Sequence, residues 1–167
     1  VTMEDLHDMP QQLYEGKISK LREKTQGQLV IKEYPTASAH SGHFKSLMNE
    51  LALKKSFRPD VIFIDYLNIC ASSRFKGGNI SSYFYVKAIA EELRGLAVEF
   101  NVPIFSATQT TRTGYVSTDI GLEDTSESFG LPATADFMFA LISNEELEAL
   151  GQMKVKQLKN RYNDPSV

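Results

Sequence analysis

The run Pro59-Asp60-Val61-Ile62-Phe63-Ile64-Asp65-Tyr66-Leu67 decides how this chain is read. Arg58-Pro59 breaks the preceding helical pattern, because the residue before a proline is pushed out of the α region. Val61 to Ile64 is uniformly apolar and β-branched or aromatic, which predicts a strand covered on both faces, as in a parallel sheet. Asp65 follows at the strand tip. A carboxylate fixed there is what a nucleotide hydrolase uses to hold magnesium through water; a strand-end acid bonded to loop amides is the plainer alternative.

Towards the N-terminus, Phe44, Leu47, Met48 and Leu51 recur at helical spacing up to about Phe57. Before them Gln28 to Tyr34 is a β-rich run closed by Pro35. Leu13, Tyr14, Ile18 and Leu21 predict an amphipathic helix over 10–26, with Pro10 in its first turn and Gly27 at its end. Val1-Thr2-Met3-Glu4 reads as the end of a strand. Towards the C-terminus, residues 71–80 have loop composition. Ser81 or Ser82 caps a helix with Val86, Ile89, Ala90, Leu93, Ala97 and Phe100 on one face, ending at Asn101. Strands follow at 103–108, 137–142 and 153–161, with a polar loop from Thr110 to about Asp124. An Asn144-capped acidic helix runs to Leu150; it reads as a solvated surface helix or a subunit contact.

Alternation of helices and apolar strands predicts one α/β domain over residues 1–167, a mostly parallel sheet with helices on both faces. Ligands of such sheets sit beyond the carboxyl ends of the strands. That singles out Glu4, Asp65, Gln109 and the loops at 71–80 and 110–124.

Composition narrows the function. Of 167 residues 42% are hydrophobic and 23% charged, as in a globular domain. Eighteen Lys and Arg against 21 Asp and Glu give a net charge of −3, which argues against coating duplex DNA but leaves room for a basic loop. Cys70 stands alone, so no internal disulfide and no multi-cysteine zinc site forms. With no signal-peptide pattern and no membrane-length apolar run, the expectation is a cytoplasmic protein without a membrane partner.

The remaining candidates are individually weak. Gln109 offers both donor and acceptor to a γ-phosphate, or is a solvated loop residue. Arg161, near Lys159 on the last strand, could be projected toward another molecule's phosphate, or is ordinary surface charge. Arg74, Lys76 and Arg112 lie in polar loops that suit a single nucleic-acid strand, with Phe75 and Tyr115 as aromatics, or they are solvated. The glycine-rich phosphate loop G-x-x-x-x-G-K-[S/T] is absent from the sequence.

From about residue 14 to 164 the chain resembles the RecA-like ATPase domain of DnaB-type hexameric replicative DNA helicases, closest to those of T-even-like bacteriophages. The segments that carry the resemblance are Pro59–Leu67, Val86-Lys87-Ala88-Ile89-Ala90-Glu91-Glu92-Leu93-Arg94, Leu131-Pro132-Ala133-Thr134-Ala135-Asp136-Phe137-Met138, and Lys156-Gln157-Leu158-Lys159-Asn160-Arg161-Tyr162. The resemblance implies a P-loop NTPase core that burns ATP with magnesium while a homo-hexameric ring translocates on single-stranded DNA. By it, Asp65 is the magnesium-holding aspartate, Gln109 the γ-phosphate sensor, and Arg161 the finger reaching a neighbouring subunit's nucleotide, with Lys159 as companion cation. Glu4 is then the carboxylate that activates water. The loops at 71–80 and 110–129 face the DNA, and Ser126-Glu127-Ser128-Phe129-Gly130 matches a stretch whose backbone follows the phosphates. Relatives often carry Arg where Ser126 stands, so a charged contact is lost or moved to Arg112. Primase and a helicase loader are candidate partners.

In this resemblance the phosphate loop precedes residue 1, so the expectation is an N-terminally truncated core, inactive alone. The stretch between Glu4 and Leu13 is shorter than the resemblance implies, through a deletion or an omitted segment. Two alternatives stay open: a RecA-like recombinase or clock-type ATPase, and a non-enzymatic DNA-binding or oligomerisation module.

Overall fold

The computed structural model describes residues 3–75, 80–111, 120–125 and 130–163, with the backbone alone at 3, 4 and 123. Two compact units divide the chain, residues 1–33 and 34–167. In the first, α1 (Met3–His7) and α2 (Gln11–Lys24) are helical. The strand end expected at Met3-Glu4 is therefore a helix. Met, Glu and Leu are good helix formers, and among the described residues no strand lies alongside to complete a ladder. Leu13, Tyr14 and Leu21 on α2 are exposed.

The strand expected at 28–34 is also absent: these residues are irregular, with Leu29 and Ile31 more than four-fifths exposed. Strand preference is largely packing against neighbours, and among the described residues no strand pairs with this run.

In the second unit, α3 (Ser41–Lys55) starts at a reciprocal histidine cap. The Gly42 N–H donates to His40 Nδ1 at 3.0 Å and the His40 N–H to His43 Nδ1 at 3.2 Å. Strand β1 (Ile62–Ile64) and strand β2 (Ile104–Ser106) pair in parallel, with Ile62 opposite Ile104 and Ile64 opposite Ser106. Between them α4 (Ser82–Phe100) forms the crossover. Its core face is Val86, Ile89, Ala90 and Leu93, packed with Leu67, Cys70 and Leu131. Asn101 closes it with φ 51°, a left-handed conformation that asparagine tolerates. Ser81 holds the position before the helix, but its side chain makes no capping hydrogen bond.

Helix α5 (Gly130–Thr134) leads into β3 (Phe137–Ile142); α6 (Glu145–Ala149) connects this to β4 (Lys154–Asn160). Asn144 caps α6 as expected, accepting from the Leu147 N–H at 2.8 Å. β3 and β4 are antiparallel and form a separate two-stranded sheet. The mostly parallel single sheet is thus corrected to one parallel and one antiparallel pair among the described residues. A parallel return needs a crossover of roughly a dozen residues or more, and the five-residue α6 merely decorates a hairpin. The register slips between Met138 and Phe139, and Leu158 packs on Ile120, Ala140 and Ile142.

Double coverage of β1 is corrected too. Phe63 is 73% exposed and stacks on half-exposed Phe105 across the pair, centroids 5.3 Å apart, while Ile64 packs toward the core. Only one face of β1–β2 is covered by the described residues.

Ile89, 2% exposed, is the centre of this packing. Ile89→Ala is expected to lower unfolding free energy by about 2–5 kcal/mol, read as a reduced urea midpoint.

Candidate functional site

Parallel pairing puts the carboxyl ends of β1 and β2 on one edge, and the two loops leaving them are tied together. The Ser106 hydroxyl donates to Ile64 O at 2.8 Å and the Leu67 N–H to Ala107 O at 3.3 Å. Thr108 Oγ1 donates to Asn68 Oδ1 at 2.9 Å. Gln109 Nε2 donates to the Tyr66 hydroxyl oxygen at 3.2 Å, so the residue after Asp65 orients the Gln109 amide. Asp65 itself is exposed, and no hydrogen bond ties its carboxylate to the described residues. An open carboxylate on a strand tip, beside an oriented amide, can bind a hydrated cation and read a phosphate oxygen. Among the described residues no cluster of three or more His, Cys, Asp or Glu could hold a metal by itself.

The loop after β1 is anchored by Glu92, on α4 three residues beyond Ile89. Its carboxylate accepts from Ser72 Oγ at 2.6 Å, Ser73 Oγ at 2.7 Å, the Ser73 N–H at 3.0 Å and Ser41 Oγ at 2.8 Å. Partial burial alone pushes this carboxyl up. The hydrogen bonds from Ser72, Ser73 and Ser41 outweigh it and hold the pKa at about 2. Tyr85 adds its hydroxyl oxygen to the Ser72 N–H at 3.1 Å. Arg74 leaves this anchored base half-exposed and pairs with Glu91 at 2.5 Å.

Gly130 has a packing role. It is buried at the start of α5, and a Cβ there would lie 3.0 Å from the Lys87 Cβ. Lys76, Arg112, Ser126, Glu127 and Phe129 lie outside the described residues, as does the side chain of Glu4. The backbone of Glu4 lies within α1, not beyond a strand.

At the far end of β4, the Arg161 N–H donates to Asp136 O at 2.9 Å, and Arg161 Nη1 meets Asp136 Oδ1 at 3.1 Å. The same Oδ1 takes Arg94 Nη1 at 2.9 Å, and Arg94 also donates to Thr134 O at 2.7 Å. Partial burial raises the Asp136 pKa, but hydrogen bonds and positive charge from Arg94 and Arg161 hold it below its ordinary value. Lys159 Nζ, half-buried, donates to Pro132 O and to Ala135 O at 2.8 Å, closing the carbonyl end of α5.

Sequence reasoning named Asp65, Gln109 and Arg161 but missed Tyr66, Glu92, Arg94 and Asp136 as the groups that fix their surroundings. A signal existed for Glu92: a carboxylate within the apolar arc of an amphipathic helix needs buried donors.

The fold is shared with solved structures. The structure superposes on a solved ATPase domain with TM-score 0.76 at 17% identity, covering 98% of this chain and 60% of that one. It superposes on a DnaB-like replicative helicase, from a structure describing its interactions with primase, with TM-score 0.72 at 19% identity, covering 94% and 38%. In sequence the chain is 48% identical over 167 residues to a DnaB-like replicative helicase of Enterobacteria phage T4, spanning 98% of this chain and 35% of the relative. The chain is thus related in sequence, along nearly its whole length, to about a third of a DnaB-like replicative helicase. No family model matches it.

The depressed Glu92 pKa has a pH signature. Its contribution to stability is complete above the ordinary carboxyl value of 4.5 and is lost as pH falls toward about 2. Glu92→Gln is expected to lower the urea midpoint at pH 7, with the gap to the parent shrinking progressively below pH 4.5.

Proposed function

We propose that this chain is part of the ATPase domain of an ATP-dependent replicative DNA helicase, a RecA-like core whose phosphate loop lies in another part of the protein. The observation that carries the reading is the shared edge of β1 and β2, where Asp65 is exposed and Gln109 is oriented by Tyr66. The 48% identity to a phage helicase favours this over a recombinase, a clock-type ATPase or a non-enzymatic binding module.

In this reading Asp65 holds magnesium through water, and Gln109 senses the γ-phosphate by hydrogen bonding. Magnesium, when bound, supplies charge neutralisation on the phosphate oxygens. Arg161 serves the nucleotide of a neighbouring subunit, with Lys159 beside it, and Glu4 is the carboxylate for the attacking water. Arg74, Lys76, Arg112, Ser126, Glu127, Phe129 and Gly130 belong to the surface that follows single-stranded DNA, with Gly130 contributing through its packing on α4. The full protein works as a homo-hexamer in the host cytoplasm, with primase and a helicase loader as partners. Among the described residues no helix is long and apolar enough to cross a membrane.

The 167-residue chain alone is expected to show no ATP hydrolysis, because it has no phosphate loop. Turnover by the purified chain that disappears in Asp65→Ala would refute that assignment. In the complete helicase, Arg161→Ala is expected to cut kcat by about a thousandfold, the scale of a finger supplied in trans, while ATP binding stays within about twofold. Loss of ATP binding would make Arg161 a ligand of its own subunit's nucleotide instead.

A further inference from the structure

We propose that Asp136 is a positioning residue for the Arg161 guanidinium: a carboxylate moored to α4 through Arg94 sets where the finger points. This rests on the reading of Arg161 as a finger.

The argument starts from the backbone. Phe137 opposes Asn160 at the end of the β3–β4 ladder, and the Arg161 N–H donates to Asp136 O. These contacts fix the Arg161 backbone, but several rotatable bonds separate it from the guanidinium. The contact beyond the backbone is Nη1 on Asp136 Oδ1 at 3.1 Å. That oxygen is itself held: Arg94 Nη1 reaches it at 2.9 Å, and Arg94 also donates to Thr134 O at 2.7 Å. The chain of restraint therefore runs from the packed helix α4, through Arg94 and Asp136, to the tip of Arg161.

Stability does not account for this arrangement. Arg161 is 54% exposed, and ion pairs at that exposure contribute little to folding. The contact uses one edge of the guanidinium and leaves other N–H donors for a phosphate. Two guanidinium groups share one carboxylate, so the cluster keeps a net positive charge. A one-to-one pair would have neutralised the finger.

The test uses the complete helicase with ATP and single-stranded DNA, comparing parent, Asp136→Asn, Arg161→Ala and the double variant. Asn keeps the size of Asp and removes its charge. Asp136→Asn is expected to lower kcat by about tenfold, less than loss of the finger, with KM within about twofold and the oligomer unchanged in sedimentation. On the Arg161→Ala background it is expected to add no further loss. If Arg161→Ala hydrolyses ATP normally, the finger reading fails and the inference goes with it. If Arg161→Ala is inactive but Asp136→Asn matches the parent, the inference alone is overturned. It is equally overturned if Asp136→Asn raises KM, breaks the oligomer, or lowers turnover further without Arg161, because Asp136 would then act through the fold.

Discussion

Parallel pairing of Ile62–Ile64 with Ile104–Ser106 is the constraint on which the candidate site depends. Two strands running the same way end at the same edge, so whatever follows each of them is brought together without further design. An antiparallel pair would have sent Asp65 and Gln109 to opposite ends. The cross-ties between the two loops, Ser106 to Ile64, Thr108 to Asn68 and Gln109 to Tyr66, sharpen that juxtaposition but presuppose it.

Parallel pairing in turn needs a crossover, and α4 does more than return the chain. Its apolar arc centres on Ile89 and packs the core. On one flank Glu92 gathers the Ser72 and Ser73 donors and fixes the base of the loop after β1. On another, Arg94 reaches Thr134 and Asp136 at the junction of α5 and β3. Gly130 lets α5 come close enough to touch Lys87 on the same helix. One packed helix thus positions both the loop assigned to DNA and the corner assigned to a neighbouring nucleotide. A rigid element is better suited to this than a loop, because its side chains are locked by burial on the opposite face.

Much of this was legible from local pattern. The helical spacing at 44–57 and 86–100, the Asn101 stop, the Asn144 cap and the strand at 137–142 follow from propensity and periodicity, and the runs expected as strands at 61–64 and 103–108 hold shorter ones, Ile62–Ile64 and Ile104–Ser106. What was not legible depended on partners. Gln28–Tyr34 has strand composition but no neighbouring strand among the described residues, and Met3-Glu4 follows its helix propensity for the same reason. The antiparallel pairing of β4 was not legible, because a five-residue acidic helix between two strands looks like a crossover until its length is weighed. Coverage of β1 was overestimated because an apolar run does not say which flank will be filled; Phe63 and Phe105 stack in the open. At the site, the residues with obvious chemistry could be named. Those that hold them, Tyr66, Glu92, Arg94 and Asp136, emerge from contacts as far apart as 43 positions in sequence.

The charge arithmetic of the Asp136 corner shows why such supporting groups matter to the proposed chemistry. A guanidinium aimed at a neighbour's phosphate must be held still and must keep its charge, and these demands conflict. A carboxylate restrains it best, yet a dedicated carboxylate cancels the field it should project. Sharing one oxygen between Arg94 and Arg161 resolves the conflict. Arg94, tied to the Thr134 carbonyl as well, holds the carboxylate that Arg161 also meets. In the proposed role, an outward swing of Arg161 would leave the acid paired with Arg94 and so avoid the full cost of breaking an ion pair. Lys159, spent on the carbonyls of Pro132 and Ala135, steadies the adjoining turn of α5, and Arg161, the more exposed of the two arginines on Asp136, keeps further donors free of that carboxylate.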